Sequence, residues 1–365
     1  MMRDWQTAEY GAHAPDGTRR VAIFCLSALG ELLLGLPLMA ETRRLYPQAR
    51  LLLVCERPAV AAWARELGMA DEVIPLPAGA RWRPLALGRS LWRMSRLQAD
   101  LALQLFTSHG SFGNLLVGAT KARVRCGYES GRFADLLTHR LRVREDRHHV
   151  TMNLDLLRRL GHQDVAEPSR RFLPEIEPRS ERFPPGSLAQ RFGRYGLISI
   201  GSDPTLAFKR WPAAKWADLC VLLAADGITP VFVGHSSEHE DAEDILTQAA
   251  VSGVNLAGQT DLSDLASLIR SSAIVVGTDG MLLHLAAAMR KPCVGIYGPT
   301  NPVNVGPWGQ QALVARLPLP CAPCYGPATI GKDIGCRSRE CLHHLPVQTV
   351  YQKVIGTLER TERGA

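Results

Sequence analysis

Long apolar runs are the feature that this 365-residue sequence most plainly lacks. Its most apolar early stretch, residues 21–39, is interrupted by Ser27, Gly30, Glu31 and Pro37, whereas a membrane-spanning helix needs about 20 nearly unbroken apolar residues. The first 20 residues are polar and lack the apolar centre of a secretory signal. The sequence therefore predicts a cytoplasmic protein, with at most peripheral contact with a membrane.

Two further absences narrow the class of protein. The nine cysteines are odd in number and five are scattered in apolar surroundings, which argues against a disulfide framework and for a reducing compartment. With 46% apolar and 21% charged residues, the chain is neither disordered nor collagenous. Its net charge of +7 suits a partner that carries phosphates or carboxylates. No recognised nucleic-acid-binding motif accompanies that charge, so nucleic acid is not expected.

Short buried strands alternate with helices along most of the chain, which indicates βαβ units and parallel sheets. A segment rich in proline and charge, PSRRFLPEIEPRSERFPPG, is typical of a linker. The predicted fold is therefore α/β, with two open domains whose ligands bind beyond the carboxyl ends of the strands, in a crevice between the domains. The predicted organisation is a leader 1–20, an N-terminal domain 21–170, a linker 171–190, a C-terminal domain 191–345 with a cysteine-rich loop 321–341, and a final helix 346–365.

The strongest functional motif is a buried strand that runs into the turn Asp279-Gly280 and then into a helix. Free backbone N–H groups and the positive end of the helix dipole make such a turn an anion site. Asp279 either orients a ligand hydroxyl or merely caps the helix. His284 either faces the ligand or belongs to the core.

Two further groups follow strands of the same half. Lys209 and Arg210 precede a predicted helix start at Trp211-Pro212, where a lysine can reach a diphosphate. Glu238 begins the helix after the strand PVFVG, where a carboxylate can accept hydrogen bonds from ribose hydroxyls. The alternatives are a solvated basic loop and an acidic residue that favours the first turn of a helix.

The first half contains a basic segment, because no acidic residue occurs between residues 73 and 99. Such a surface suits the phosphates or acidic sugars of a lipid-linked acceptor, or else it is simply a solvated face. Trp82 and Trp92 lie among the arginines, either at a membrane interface or in the core. The basic residues are Arg81, Arg83, Arg89, Arg93 and Arg96, with Lys121, Arg123 and Arg125 as a second group.

Four cysteines, Cys321, Cys324, Cys336 and Cys341, crowd into 21 residues. This spacing can form a tetrahedral thiolate site for zinc or iron. Free thiols or a redox-active pair are the alternatives. A metal held by four thiolates would have no open position, so it would stabilise the loop and take no part in chemistry.

The ordered motifs resemble glycosyltransferase family 9, the ADP-heptose:lipopolysaccharide heptosyltransferases, from about Val21 to Leu345. The matching pieces are LSALGELLLGLPL, RVRCGYESGR, LLTHRL, HHVTMNLDLLRRLG, KRWP, NLAGQTDLSDLASLI, TDGMLLHLAAA and YGPTNPVNVGPWG. The resemblance implies the GT-B architecture of two facing Rossmann-like domains, with the nucleotide-sugar donor in the C-terminal domain. It also implies a bacterial enzyme whose acceptor is an anionic glycolipid or other glycan, with possible peripheral contact at the cytoplasmic face of the inner membrane.

The resemblance implies roles for individual residues. Ser202 and Lys209 would contact the donor phosphates, and Glu238 the ribose. Glu31 matches the carboxylate of the family's SxxGD motif and is the candidate general base. The basic residues Arg81, Arg83 and Arg123 are the candidates for binding the acceptor. The diphosphate and sugar pocket would be completed by Asp279, Gly280, Met281 and His284.

The implied reaction is an inverting sugar transfer, in which Lys209 and the helix that begins near Asp279 stabilise the departing diphosphate without a metal. Two departures from the family pattern bear on this reaction. Glu31 replaces the usual Asp, and Gly280-Met281 replaces Thr-Gly. Glu31 is therefore either the base or a helix cap. The alternatives to lipopolysaccharide heptosyl transfer are an autotransporter-type protein heptosyltransferase, a nucleotide-sugar epimerase, and a non-catalytic sugar-binding or assembly protein.

Overall fold

The structure, a computed structural model, describes residues 17–166, 180–184, 186–201, 204–310, 313–326, 329 and 334–363. The chain divides into two compact units, Met1–Phe172 and Leu173–Ala365. Each unit contains a six-stranded parallel sheet with helices, so the predicted α/β class is confirmed. Most of the predicted leader 1–20 and half of the predicted linker 171–190 lie outside the described residues. Among the residues described, no helix has the length and apolar character needed to cross a membrane.

The first unit has the sheet order β3-β2-β1-β4-β5-β6. The central strands β1 and β2 are apolar and buried along nearly their whole length, as expected for a parallel sheet covered on both faces. The strands are β1 (Arg20–Cys25), β2 (Arg50–Cys55), β3 (Glu72–Pro75), β4 (Leu101–Gln104), β5 (Val124–Tyr128) and β6 (His139–Leu141). The helices are α1 (Leu29–Leu45), α2 (Pro58–Leu67), α3 (Pro84–Ser95), α4 (Ser111–Ala119) and α5 (His149–Arg159).

The second unit has the order β12-β11-β10-β7-β8-β9, which is the same doubly wound pattern. Its strands are β7 (Tyr195–Ser199), β8 (Thr229–Phe232), β9 (Val254–Asn255), β10 (Ile274–Thr278), β11 (Cys293–Ile296) and β12 (Val314–Ala315). Its helices are α6 (Ser187–Phe192), α7 (Ala213–Ala225), α8 (His239–Ala249), α9 (Leu262–Ser271), α10 (Met281–Ala288), α11 (Pro302–Val305), α12 (Glu340–His343) and α13 (Val347–Arg363).

Local sequence signals explain where several helices begin and end. Helix α9 begins with a polar cap, because Asp261 accepts a hydrogen bond from the Asp264 N–H at 2.8 Å. Helix α3 begins at Pro84. Proline at the first helical position lacks the N–H that would be unsatisfied there, so it favours a helix start at this residue.

Helix α13 completes the core of the second unit. Its apolar residues Val350, Val354 and Leu358 are buried in one cluster with residues of β7, β10 and α7. The predicted final helix therefore packs against its own unit.

The strand order fixes where ligand sites can form. The carboxyl ends of parallel strands meet at one edge, and a crevice opens where the order reverses. These switch points lie between β1 and β4 in the first unit and between β7 and β10 in the second. Glu31 follows β1, and Asp279 follows β10, so each lies beside a switch point.

Candidate functional site

The turn after β10 places a buried carboxylate against a lysine. Asp279 is 6% exposed, and its Oδ2 lies 2.6 Å from Nζ of Lys209, whose side chain is 11% exposed. Lys209 ends the 3-10 turn Pro204–Lys209 that follows β7, so the pair joins the two strands of the switch point. The ammonium also lies 5.2 Å from the centre of the Tyr325 ring, a cation–π geometry.

The electrostatics of Asp279 favour the carboxylate form. Burial raises its pKa, but the charge and hydrogen bond of Lys209, together with His284 and Thr300, outweigh that effect and hold the pKa below its ordinary value. The carboxylate of Asp279 therefore stays ionised beside Lys209 at neutral pH. A lysine in this position can bind a phosphate.

The interpretation of Asp279 as a helix cap is wrong. The cap position of α10 is Gly280, which has extended backbone angles and no side chain to satisfy the first N–H groups. Asp279 makes its ion pair with Lys209 instead. Because Gly280 cannot cap the helix, the amides at the start of α10 remain suited to an anion.

His284 and Met281 lie on the first turns of α10. His284 is 7% exposed and close enough to Asp279 to lower the pKa of that carboxyl. It is thus buried and also coupled to the candidate site. Met281 is partly buried at the first position of the helix.

Glu238 is a second buried acid, at the carboxyl end of β8. It is 5% exposed, and its Oε2 has no hydrogen-bond partner among the described atoms. Burial raises the pKa of Glu238 to about 7, against the opposing effects of Arg210 and a backbone hydrogen bond at His235. A buried acceptor oxygen without a donor is costly, so this carboxylate is suited to accept hydrogen bonds from a ligand.

Gly201 joins these pieces into one site. A Cβ atom at Gly201 would lie 1.9 Å from Oε1 of Glu238, and a Cβ at Gly280 would lie 3.6 Å from the Gly201 carbonyl oxygen. The hydroxyl of Thr278 also donates to that carbonyl at 3.2 Å. Glu238, which follows β8, and the turn after β10 therefore both lie beside the end of β7. Ser202, the next residue, lies outside the described residues.

The first unit holds a carboxylate at its own switch point. Glu31 lies in the first turn of α1, with its side chain 19% exposed. Its Oε2 lies 3.5 Å from Nδ1 of His149, which is 3% exposed and begins α5. Neither ring nitrogen of His149 has a hydrogen-bond partner in the described structure. The contact between these two side chains was not predicted from the sequence.

Aromatic packing and one amide fix this pair in place. Phe106 lies between His109 and His149, with ring centroids 4.8 and 4.6 Å away. Asn153 accepts from the Phe106 N–H at 2.8 Å and donates to the Leu34 carbonyl at 3.1 Å. It thereby ties α5 to both α1 and the segment after β4. The only signal in the sequence was the piece HHVTMNLDLLRRLG, which contains His149 and Asn153.

The three candidate acceptor arginines differ in their surroundings. Nε of Arg81 lies 2.8 Å from both carboxylate oxygens of Glu56, and its guanidinium lies over the Phe112 ring at 4.7 Å. Arg81 therefore holds neighbouring loops together. Arg83 and Arg123 are exposed. Arg81 is thus already engaged by a carboxylate, whereas the other two side chains are open to solvent.

The cysteine loop is only partly described. Cys321, Cys324 and Cys336 are exposed and Cys341 is buried, all as free thiols. The other three cysteines contribute to raising the pKa of Cys341, after its burial. Even so, no three His, Cys, Asp or Glu side chains come together as a metal-binding group in the part of the chain that is described. This conformation does not fit a bound metal, and the metal site stays a prediction.

Comparisons with known proteins agree with the resemblance. The family model for glycosyltransferase family 9 (heptosyltransferase) matches residues 86–333. Lipopolysaccharide heptosyltransferase 2 of Escherichia coli K12 is 36% identical over 125 residues, which are 32% of this chain and 36% of that protein. The matched segment therefore spans only about a third of that relative.

Two solved structures share the fold over nearly their whole length. A family 9 glycosyl transferase from Veillonella parvula has a TM-score of 0.72 at 21% identity and covers 97% of this chain and 99% of its own. The ADP-heptose lipopolysaccharide heptosyltransferase II of E. coli has a TM-score of 0.70 at 22% identity, covering 94% and 99%. At such identities the likeness establishes the fold.

Proposed function

The chain belongs to glycosyltransferase family 9, and on that premise we propose that it transfers heptose from ADP-heptose to a lipopolysaccharide-core or related bacterial acceptor. The observation that carries the proposal is the arrangement around Gly201, where the Lys209–Asp279 ion pair and the buried Glu238 meet at one switch point. The relative of 36% identity and the E. coli structure are both heptosyltransferases, and this supports heptose as the sugar.

In the proposed donor complex, each group has a separate task. The Glu238 carboxylate accepts hydrogen bonds from the ribose hydroxyls, which satisfies its Oε2. Lys209, Ser202 and the amides of Gly280 and Met281 bind the diphosphate. Asp279 holds the Lys209 ammonium in place at 2.6 Å. His284 completes the sugar pocket.

In the proposed reaction, one bond forms and one breaks at the anomeric carbon. The carboxylate of Glu31 takes the proton from an acceptor hydroxyl, whose oxygen then bonds to the anomeric carbon with inversion. The bond from that carbon to the diphosphate breaks, and ADP leaves with the electron pair. Lys209 and the start of α10 stabilise the charge that develops on the diphosphate. His149, 3.5 Å from Glu31, positions the base.

The proposed acceptor is an anionic glycolipid at the cytoplasmic face of the inner membrane. Arg83 and Arg123 are exposed and suited to bind its phosphates or acidic sugars. Arg81 is less suited to this role, since Glu56 already holds its guanidinium. The exposed arginines match the negative charge of such an acceptor and do not specify which sugar it carries.

The test is a transfer assay with ADP-heptose and heptose-deficient lipopolysaccharide, read by ADP release and by the mass of the product. We expect transfer by the wild type and a loss of about a hundredfold or more in kcat for Glu31→Gln, because general-base catalysis contributes typically 10²–10⁴-fold. Glu66→Gln, an exposed change on α2, is the matched control. Consumption of the donor without acceptor would indicate an epimerase, and transfer to a protein acceptor alone an autotransporter-type enzyme. No turnover with retained ADP binding would indicate a non-catalytic protein.

The predicted zinc or iron site has no part in this reaction. Elemental analysis of the purified protein and of Cys324→Ser tests it separately. Metal bound by the wild type and lost from the variant would support a structural role for the four cysteines. Wild-type protein that contains no metal and is no more stable than Cys324→Ser would refute it.

A further inference from the structure

Large apolar side chains are exposed at the start and along one side of α3. Trp82 is 85% exposed, Leu85 81% and Trp92 63%. The alternative that these tryptophans belong to the core is therefore wrong. Scattered exposed apolar residues are ordinary, but two tryptophans and a leucine within 11 residues form a cluster, and exposed apolar clusters mark interaction sites.

The cluster follows the periodicity of the helix. Leu85, Arg89, Trp92 and Arg96 are spaced by four, three and four residues, so they lie along one side of α3 and its C-cap. Ser90 and Met94 of the same helix are fully buried against the first unit. Helix α3 thus has one side in the core and an opposite side that combines apolar and basic groups.

The charge of this side has a single sign. In the described part of the chain, no acidic side chain pairs with Arg83, Arg89 or Arg96, and the sequence has no Asp or Glu between residues 73 and 99. The guanidinium of Arg96 lies 5.4 Å from the centre of the Trp92 ring. Tryptophan with arginine is the combination that is enriched where a protein meets lipid headgroups.

We propose that this surface, the α3 face formed by Trp82, Leu85, Arg89, Trp92 and Arg96, docks onto an anionic lipid bilayer. The apolar side chains insert at the headgroup level, and the arginines contact lipid phosphates. A second copy of the chain fits less well, because two such faces would bring like charges together.

The α3 face adjoins the carboxyl edge of the first sheet. Arg81, the neighbour of Trp82, binds Glu56 after β2 and the Leu26 carbonyl after β1. Docking through Trp82 and Leu85 therefore brings the end of β1, and with it α1 and Glu31, near the lipid surface. A glycolipid acceptor could then be reached without leaving the bilayer, a step that rests on the proposed function, whereas docking itself does not.

The experiment is vesicle co-sedimentation of the full chain. The wild type should bind phosphatidylcholine vesicles that contain phosphatidylglycerol, with salt weakening the binding, and should bind pure phosphatidylcholine poorly. Arg89→Glu/Arg96→Glu should weaken binding by about 25-fold or more, because each basic residue near an anionic surface contributes roughly fivefold. Leu85→Ser/Trp92→Ser should weaken it by about tenfold or more through lost insertion.

Matched controls separate docking from folding and from catalysis. Val221→Ser/Val303→Ser removes two half-exposed apolar side chains of the second unit and should bind like the wild type. Activity on an acceptor dispersed in detergent should survive in the α3 variants, so failure of the proposed reaction and failure of docking are distinguishable. Equal binding by the α3 variants and the control would overturn the proposal. A concentration-dependent dimer that the α3 variants abolish would also overturn it.

Discussion

At the scale of single residues, Glu238 is perturbed because the fold buries it between the ends of two strands. Cβ atoms at Gly201 and Gly234 would lie 1.9 and 2.0 Å from its carboxylate oxygens, so only glycines leave room for it. Burial raises its pKa to about 7. An acid with a raised pKa is still partly protonated at neutral pH and becomes a full acceptor only above it.

This pKa predicts a pH dependence of donor binding. ADP should bind Glu238 more tightly as the pH rises through about 7, because the ionised form accepts both ribose hydroxyls and a charged hydrogen bond contributes roughly 1.5–3 kcal/mol. Titration calorimetry from about pH 5 to pH 8 should show about a tenfold gain in the wild type beyond that in Glu238→Gln. Glu240→Gln, exposed on the same helix, should behave as the wild type. Identical pH profiles in all three would contradict the assignment.

The Lys209–Asp279 pair is the second residue-scale case. Lys209→Met should destabilise the fold by about 3 kcal/mol, since removing one partner of a buried pair leaves the other charge uncompensated. The folded state lowers the pKa of Asp279 below its ordinary value. The pair therefore stabilises the fold at pH values above the ordinary pKa of an aspartate and loses its effect as the pH falls through the lowered pKa.

Urea denaturation at neutral and at acidic pH measures this stability. The difference in the free energy of unfolding between Lys209→Met and the wild type should be largest near neutral pH and should become smaller in acid. The double variant Lys209→Met/Asp279→Asn should recover part of the loss, because it removes both charges. A single variant as stable as the wild type would mean that the pair is solvated in solution.

At the scale of elements, the start of α10 shows why a departure from the family pattern can be tolerated. Gly280 has φ −170° and ψ 178°, extended angles that any residue adopts. A Cβ there would meet only two carbonyl oxygens, both at 3.6 Å. Neither strain nor crowding therefore requires a glycine, and the threonine usual in the family would fit.

Gly280→Thr should accordingly keep or slightly raise the melting temperature, since a threonine cap differs from glycine by a few tenths of a kcal/mol. Gly298→Thr is the contrasting variant. It should destabilise the second unit, because a Cβ at this position would lie 2.5 Å from the Leu342 side chain. A large loss of stability in Gly280→Thr would refute the described turn.

Elements with strong local signals were predictable, and weak ones were not. The apolar strands β1, β2, β7 and β10 were recognised because parallel strands buried on both faces are apolar throughout. The edge strand β6, HRL, is only half-buried and polar, so its place depends on pairing with β5 and not on its own composition. Local pattern cannot reveal a strand that a neighbour stabilises.

At the scale of the whole molecule, the sequence pattern placed the candidate residues beside switch points but did not give the contacts between them. The alternation of strands and helices implied switch points, and Lys209, Glu238 and Asp279 each follow a strand of the second sheet. The Lys209–Asp279 and Glu31–His149 contacts join residues 70 and 118 positions apart (279 − 209 and 149 − 31). Only the strand order brings such residues together, and a single sequence does not give that order.

The second unit contains all of the proposed donor-binding residues that the structure describes, together with its own core. Helix α13 packs on the core of this unit, and its Val350 and Val354 are fully buried there. A unit with an independent core can fold alone, so residues 173–365 expressed separately should unfold cooperatively. They should also bind ADP within about tenfold of the full chain, since one tenfold step is only 1.4 kcal/mol.

Residues 173–346, which lack α13, should fail to fold because the removal of this helix exposes that core. Calorimetry on both fragments measures whether each one unfolds cooperatively and whether it binds ADP. A folded 173–365 fragment that does not bind ADP would mean that the donor site depends on the first unit.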